Sequence, residues 1–304
     1  MTRPDGPVHA ARTRATAHLA MLTYAMLIAG SFSFGSIAAP HLSPPVINAI
    51  RFGAATLLMG GMLLVRKGGR PAFPRAPWRF MALGSLMGIY FIPMFIALRI
   101  TEPVSTGAVF TLTPLMTAVF GFFILGQRTR GLMWASLIIS AVGALWVIFR
   151  ADIWRLLSFR VGRGEMLFLI GCACQALYAP LLRLLNRGES VFEFTVWTLA
   201  GCTVFVTAFA VPEAAKIDWA GIGLPIWLAI AYLTIFSTAI SFLLLQYASL
   251  HLPAAKIFPY AYLIPTFVIV IEAAIGHGLT NPVILIGSLV TAGGLVVMYF
   301  APEK

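Results

Sequence analysis

The sequence holds 304 residues, 60% of them apolar and only 10% charged, with a mean hydropathy of +0.92. A water-exposed domain carries about 25% charged residues, so a soluble globular chain is excluded, and so is disorder, which requires low apolar content. The formal charge of +11 lies mostly in short loops between apolar runs, without the aromatic interleaving of a nucleic-acid groove; it reads as a topology signal and excludes a nucleic-acid partner.

A membrane-spanning helix needs about 20 apolar residues. Hydropathy places ten in chain order, at 18–38, 44–65, 78–98, 103–125, 131–149, 164–185, 191–212, 222–248, 254–275 and 281–301, after a tail over 1–17. The apolar stretch from Leu19 to Ile37 is too long for a secretory signal and reads as the first span. Pro44, Pro45, Pro103, Pro253 and Pro282 open spans, where a missing N–H costs nothing. Cys172, Cys174 and Cys202 fall inside apolar runs and read as small fillers, with no disulfide, metal site or cofactor indicated. Between spans five and six, Ile153, Trp154, Leu156, Leu157 and Phe159 alternate with arginines in the pattern of a short interfacial helix.

Lys and Arg orient the chain. With the N-terminus inside, Arg3, Arg12, Arg14, Arg66, Lys67, Arg70, Arg75, Arg79, Arg128, Arg130, Arg183, Arg187 and Lys304 are cytoplasmic, thirteen cations in all. Six lie outside: Arg99, Arg150, Arg155, Arg160, Arg163 and Lys216. Both termini are therefore expected in the cytoplasm of a cell with this protein in its plasma (bacterial inner) membrane.

The two halves repeat. Pro103 and Pro253 are 150 positions apart, as are Gly126 and Gly276, and Gly143 and Gly293; Pro114 and Pro265 are 151 apart. Each half, 18–149 and 164–301, carries five spans, an odd number, so the second is expected upside down relative to the first. The predicted fold is all-α and integral to the membrane, ten transmembrane helices in two inverted five-helix repeats, an arrangement typical of secondary transporters.

Arg51-Phe52 in span two, Ala97-Leu98, Thr113-Pro114 and Leu125-Gly126 in the first half, and Tyr247-Ala248, Pro265 and Ile275-Gly276 in the second carry a resemblance. The chain resembles the drug/metabolite transporter superfamily in its EamA-type branch, over nearly its whole length. The resemblance implies carriage of a small metabolite, and within the branch the chain is most similar to amino-acid exporters, particularly those for aromatic amino acids. One departure stands out: Gln127 and His277 occupy positions where the family often has Glu after the Leu-Gly pair.

The rise along a helix puts Pro114 and Pro265 about 16–18 Å into the bilayer, near its midplane. Proline there frees backbone carbonyls, which must be paired or face a cavity, so both are candidate hinges or gates. Around that depth lie Thr111 and Thr113, Tyr260 and Tyr262, Tyr90 and Phe91 before Pro93, Ser237, Ser241 and Gln246, Gln175 and Tyr178, and Ser31, Ser33 and Phe34. Each alone suits an interhelical hydrogen bond or plain packing. Together they describe an apolar, aromatic cavity with sparse polar groups. Tyr90, Phe91, Thr111, Thr113, Gln175, Tyr178, Ser241, Gln246, Lys256 and Tyr260 are the candidate substrate contacts. Lys256, one turn into span nine, either attracts a substrate carboxylate or snorkels to the headgroups. Arg51, with Asn48 on the same side of span two, is expected to tie helices together. Glu272 and His277, near the outer end of span nine, read as structural.

No Asp or Glu falls mid-span, which favours uncoupled transport. An integral-membrane enzyme would need a catalytic or metal constellation, and the five scattered histidines form none. The sequence thus points to a monomeric, cofactor-free exporter of small amphipathic solutes, foremost aromatic or other large neutral amino acids, with a broad metabolite or drug exporter as the alternative.

Overall fold

The computed structural model describes residues 7–68, 73–100, 109–127, 130–158, 161–274 and 282–301. In these residues the regular structure is all helical: α1 (Pro7–Ala38), α2 (Pro44–Lys67), α3 (Trp78–Ile100), α4 (Thr113–Leu125), α5 (Gly131–Ile148), a short α6 (Ile153–Leu157), α7 (Arg163–Leu185), α8 (Val191–Ala214), α9 (Leu224–His251), α10 (Ile264–Ala274) and α11 (Pro282–Phe300). Among the described residues nine helical segments are long and apolar enough to cross a bilayer, and α4 is a shorter apolar helix. Leucine, valine and phenylalanine side chains such as Leu57, Val65 and Phe123 stand exposed around the outside, as a lipid-facing belt requires.

Local chemistry sets the ends. Pro44 and Pro45 open α2, Arg66 and Lys67 fill its last turn against the negative end of the dipole, and Gly68 closes it at φ 62°. Gly126 closes α4 in the same left-handed conformation at φ 65°. The interfacial α6 starts at Asp152, whose carboxylate accepts from the Trp154 and Arg155 N–H groups, and it leaves Ile153, Trp154 and Leu157 exposed.

Equivalent helices of the two halves meet antiparallel. On α2 and α8, Thr56 bonds Thr203 through their hydroxyls at 3.0 Å, while Lys67 pairs with Glu193 at 2.8 Å. On α5 and α11, Trp146 donates to the Val283 carbonyl at 3.0 Å, and Gly294 abuts Ser140 and the Ser136 carbonyl. Rising numbers on one helix meet falling numbers on the other, so the second five-helix unit is inverted relative to the first. The end of α11 returns beside the N-terminal half of α1, with Tyr299 and His18 rings 4.8 Å apart.

The register at the last span corrects the sequence alignment by one residue. Gly293 faces open space, whereas Gly294 is the glycine packed on Ser140, matching Gly143 packed on Thr291. The offset is therefore 151 there, the same as that separating Pro114 and Pro265.

Candidate functional site

The two prolines differ from the mid-helix kinks expected. Pro114 is the second residue of α4 and Pro265 the second of α10, so each opens an α-helix directly after a break, the turn at Thr111 and Leu112 in one case and 3₁₀ turns in the other. Before α10 the chain runs in 3₁₀ turns over Ala254–Lys256 and Phe258–Leu263. A proline at a helix start has no N–H to leave unpaired and its φ is already set, so the break persists without strain. The two breaks touch: Tyr262 donates from its hydroxyl to the Thr111 carbonyl at 3.0 Å, and these residues are themselves 151 apart.

α9 carries a π-turn over Ile235–Ile240. Thr238 donates to the Leu233 carbonyl five residues back at 2.7 Å, and Ser241 to the Ser237 carbonyl at 2.6 Å. Such turns present backbone groups that a regular helix hides, and they recur at functional sites. Arg51 of α2 docks there, with Nε donating to Thr238 Oγ1 at 2.8 Å and Nη2 to the Ser237 carbonyl at 3.4 Å. Its guanidinium lies 4.4 Å from the Phe91 ring centroid and 5.1 Å from that of Phe52, over aromatic faces that stabilise a cation.

Seven rings run continuously past this charge: Phe110 and Phe168 at 6.4 Å, Phe168 and Tyr90 at 6.0 Å, Tyr90 and Phe91 at 4.6 Å, Phe91 and Phe52 at 5.5 Å, Phe52 and Phe242 at 5.8 Å, and Phe242 and Tyr178 at 6.2 Å. They come from α2, α3, α7, α9 and the helical residue Phe110 just before the break at α4, so both halves build the lining. Gln175 lies beside Tyr24 and Tyr90, and Thr113 beside Cys172. Several polar atoms here are buried without a hydrogen-bond partner: Arg51 Nη1, Thr113 Oγ1, Gln175 Oε1 and Ser237 Oγ.

Of the residues singled out in the sequence, Tyr90, Phe91, Thr113, Gln175 and Tyr178 join this cluster with Arg51, and Ser241 caps the adjoining π-turn. Gln246, farther along α9, is buried with both amide atoms unpaired. Thr111 contributes its carbonyl to the contact between the breaks. Lys256 and Tyr260 lie elsewhere. Lys256 Nζ donates to the Ala301 carbonyl at 2.7 Å, and the Tyr260 hydroxyl pairs with His18 Nδ1 at 2.6 Å, both where α11 ends. Lys256 neither snorkels nor stands in the aromatic cluster; it is 3% exposed and binds the backbone just past α11. Gln127 accepts from the Ala254 N–H at 2.9 Å, joining the end of α4 to the turns before α10. Pro103 and His277 lie outside the described residues, as does the side chain of Glu272. Tyr24, Phe110, Phe168, Phe242 and Thr238 are members that sequence reasoning did not single out.

A sequence profile described as the EamA-like transporter family matches residues 15–149 and 162–300. An uncharacterized transporter of Bacillus subtilis (strain 168), YyaM, is 22% identical over 287 residues, covering 92% of this chain and 94% of its own. A second from the same organism, the uncharacterized transporter YdeK, is 30% identical over 223 residues, covering 71% of this chain and 74% of its own. A solved crystal structure superposes with a TM-score of 0.74 at 19% identity, over 93% of this chain and 96% of that one, a likeness of fold.

Proposed function

The chain belongs to the EamA-like transporter family and is a multi-pass membrane transporter, and we propose that it exports aromatic or other large neutral amino acids by alternating access. The observation that carries this reading is the unbroken run of seven buried rings beside a single guanidinium. An aromatic solute packed edge-on or offset against such walls gains about 0.5–1.5 kcal/mol per ring pair beyond burial. Sparse polar atoms among the rings then hold an amphipathic head group in one orientation.

Alternating access needs two bodies that rock about a site they share. Here the first half supplies Arg51, Phe91 and Phe110, and the second Phe168, Gln175 and Ser237. The breaks before α4 and α10, joined by the Tyr262 bond to Thr111, are the places where backbone can rotate without unwinding a helix. The cation count of the loops supports an orientation with both termini, and the Arg79 and Lys67 contacts, on the cytoplasmic side. We infer downhill transport, a reading supported by the lack of a carboxylate beside the rings among the described residues.

Uptake of labelled L-tryptophan into proteoliposomes, challenged with each common amino acid, nucleosides and a cationic dye, tests the substrate class. Displacement by large neutral amino acids alone supports the proposal. Equal displacement by nucleosides and dye replaces it with a broad metabolite carrier.

A further inference from the structure

Among the described residues two arginines are buried completely, both 0% exposed, and their surroundings differ in one respect. Arg79 spends its donors on the Leu185, Arg75 and Ala76 carbonyls and on the Glu189 carboxylate. Arg51 has one hydroxyl, one carbonyl and two aromatic faces, and its Nη1 donates to nothing. The ionisable neighbours that face Arg51 are Tyr24, Tyr90 and Cys202, none of them a carboxylate. A cation held this far from water without an anion is costly, and a helix tie alone would not require leaving a donor open.

The open donor has company. Ser237 Oγ is also buried and unpaired, on the residue whose carbonyl receives Nη2, so the π-turn that Arg51 docks on carries a second free donor. Across Tyr24 and Tyr90, each of which neighbours both Arg51 and Gln175, the Gln175 Oε1 is a free acceptor. Donors at one end, an acceptor at the other and rings along the side match the polarity of a solute with a carboxylate, a nearby ammonium and an aromatic body.

We propose that Arg51 Nη1, with Ser237 Oγ, anchors the carboxylate of the transported solute, so that the substrate class is ring-bearing monocarboxylates, amino acids and their deaminated acids alike. This assignment rests on the export reading above and sharpens it. A carboxylate supplies the anion that Arg51 lacks. An amine without one adds a like charge to the same low-dielectric site and leaves Nη1 open. An acid without the amine loses only the Gln175 contact.

Binding of L-phenylalanine, 3-phenylpropionate, L-phenylalaninamide and phenethylamine, read as thermal-shift titrations of the full chain in lipid nanodiscs, tests the assignment. The two carboxylates should bind about ten- to a hundred-fold more tightly than the amide and the amine, the range of a hydrogen bond to a charged group. Arg51→Met should erase the difference and Arg51→Lys retain part of it; if Arg51→Met does not fold, the order of the four solutes on the unaltered protein decides. Amide or amine binding as tightly as 3-phenylpropionate overturns the role of Arg51 while leaving the export of ring-bearing solutes standing. No binding by any of the four overturns both.

Discussion

Ser140 and Thr291 exchange hydrogen bonds: Ser140 Oγ donates to the Thr291 carbonyl at 3.4 Å, and Thr291 Oγ1 to the Ser140 carbonyl at 3.3 Å. The two residues are 151 apart, so each is the other's counterpart in the repeat. A residue bonded to its own counterpart lies on a two-fold axis, and Tyr262 with Thr111, also 151 apart, mark the same relation elsewhere. The inverted repeat therefore survives in contacts as well as in hydropathy, and the aromatic cluster lies where the halves meet.

The register follows from a comparison of two glycines. A Cβ on Gly143 would come within 2.5 Å of Thr291 Oγ1 and 2.6 Å of the Gly287 carbonyl, and the backbone there has no room to yield. Gly143→Ala should destabilise the protein by about 1–3 kcal/mol, lowering its unfolding temperature in detergent. Gly293→Ala, where nothing lies within 4 Å, should leave it unchanged or raise it. The reverse order would place the helix contact one residue away.

Pro114→Ala and Pro265→Ala each restore an N–H and allow α4 or α10 to extend backward through its break. Initial transport rates in proteoliposomes should fall several-fold in each variant, with expression and unfolding temperature retained. Normal rates in both would reduce the prolines to packing features.

Much of this was legible in the sequence, and the omissions have physical causes. Apolar runs of bilayer length fix the spans, and five spans per half dictate inversion. The alignment slipped by one at Gly293 because Gly294 adjoins it, and only packing tells two neighbouring glycines apart. Arg51 announces itself as a charge in an apolar run, but its acceptor does not: nothing in Ile235–Ile240 distinguishes a π-turn from an α-helix before tertiary contacts select it. A regular helix over span nine would aim Lys256 at a substrate carboxylate or at the headgroups; with 3₁₀ turns there, it reaches the Ala301 carbonyl instead. Phe110, Phe168 and Phe242 are buried ring neighbours, yet by sequence they are indistinguishable from Phe122 and Phe123, which face outward.

Arg79 and Glu189 give a pH dependence of known sign. Partial burial pushes the Glu189 carboxyl up, but the Arg79 guanidinium and the Arg187 N–H more than offset this and hold it below the usual carboxylate range. A carboxyl so lowered adds stability above its unfolded-state value and loses it as pH falls through the folded one. Glu189→Gln should thus be less stable than the unaltered protein at pH 7, by about 1.5–3 kcal/mol, the worth of a hydrogen bond to a charged group. In thermal unfolding that gap should close as the pH drops below about 4. A gap independent of pH would show that the charge of Glu189 does not contribute.

The meeting of Tyr299 with His18 brings the first and last helices to one end of the bundle. With the natural cysteines replaced, single cysteines at Arg3 and Lys304 should both resist a membrane-impermeant thiol reagent in intact cells and react after permeabilisation. Labelling of either one from outside would reverse the orientation assigned from the loop cations.

The most direct measurement of the central claim is counterflow of labelled L-tryptophan in proteoliposomes of the purified chain, preloaded with unlabelled L-phenylalanine. A carrier with one aromatic site shared by its two halves predicts a transient, saturable accumulation of label above its external concentration. Label that enters only to equilibrium, without saturation and indifferent to the preload, would contradict it and describe a pore.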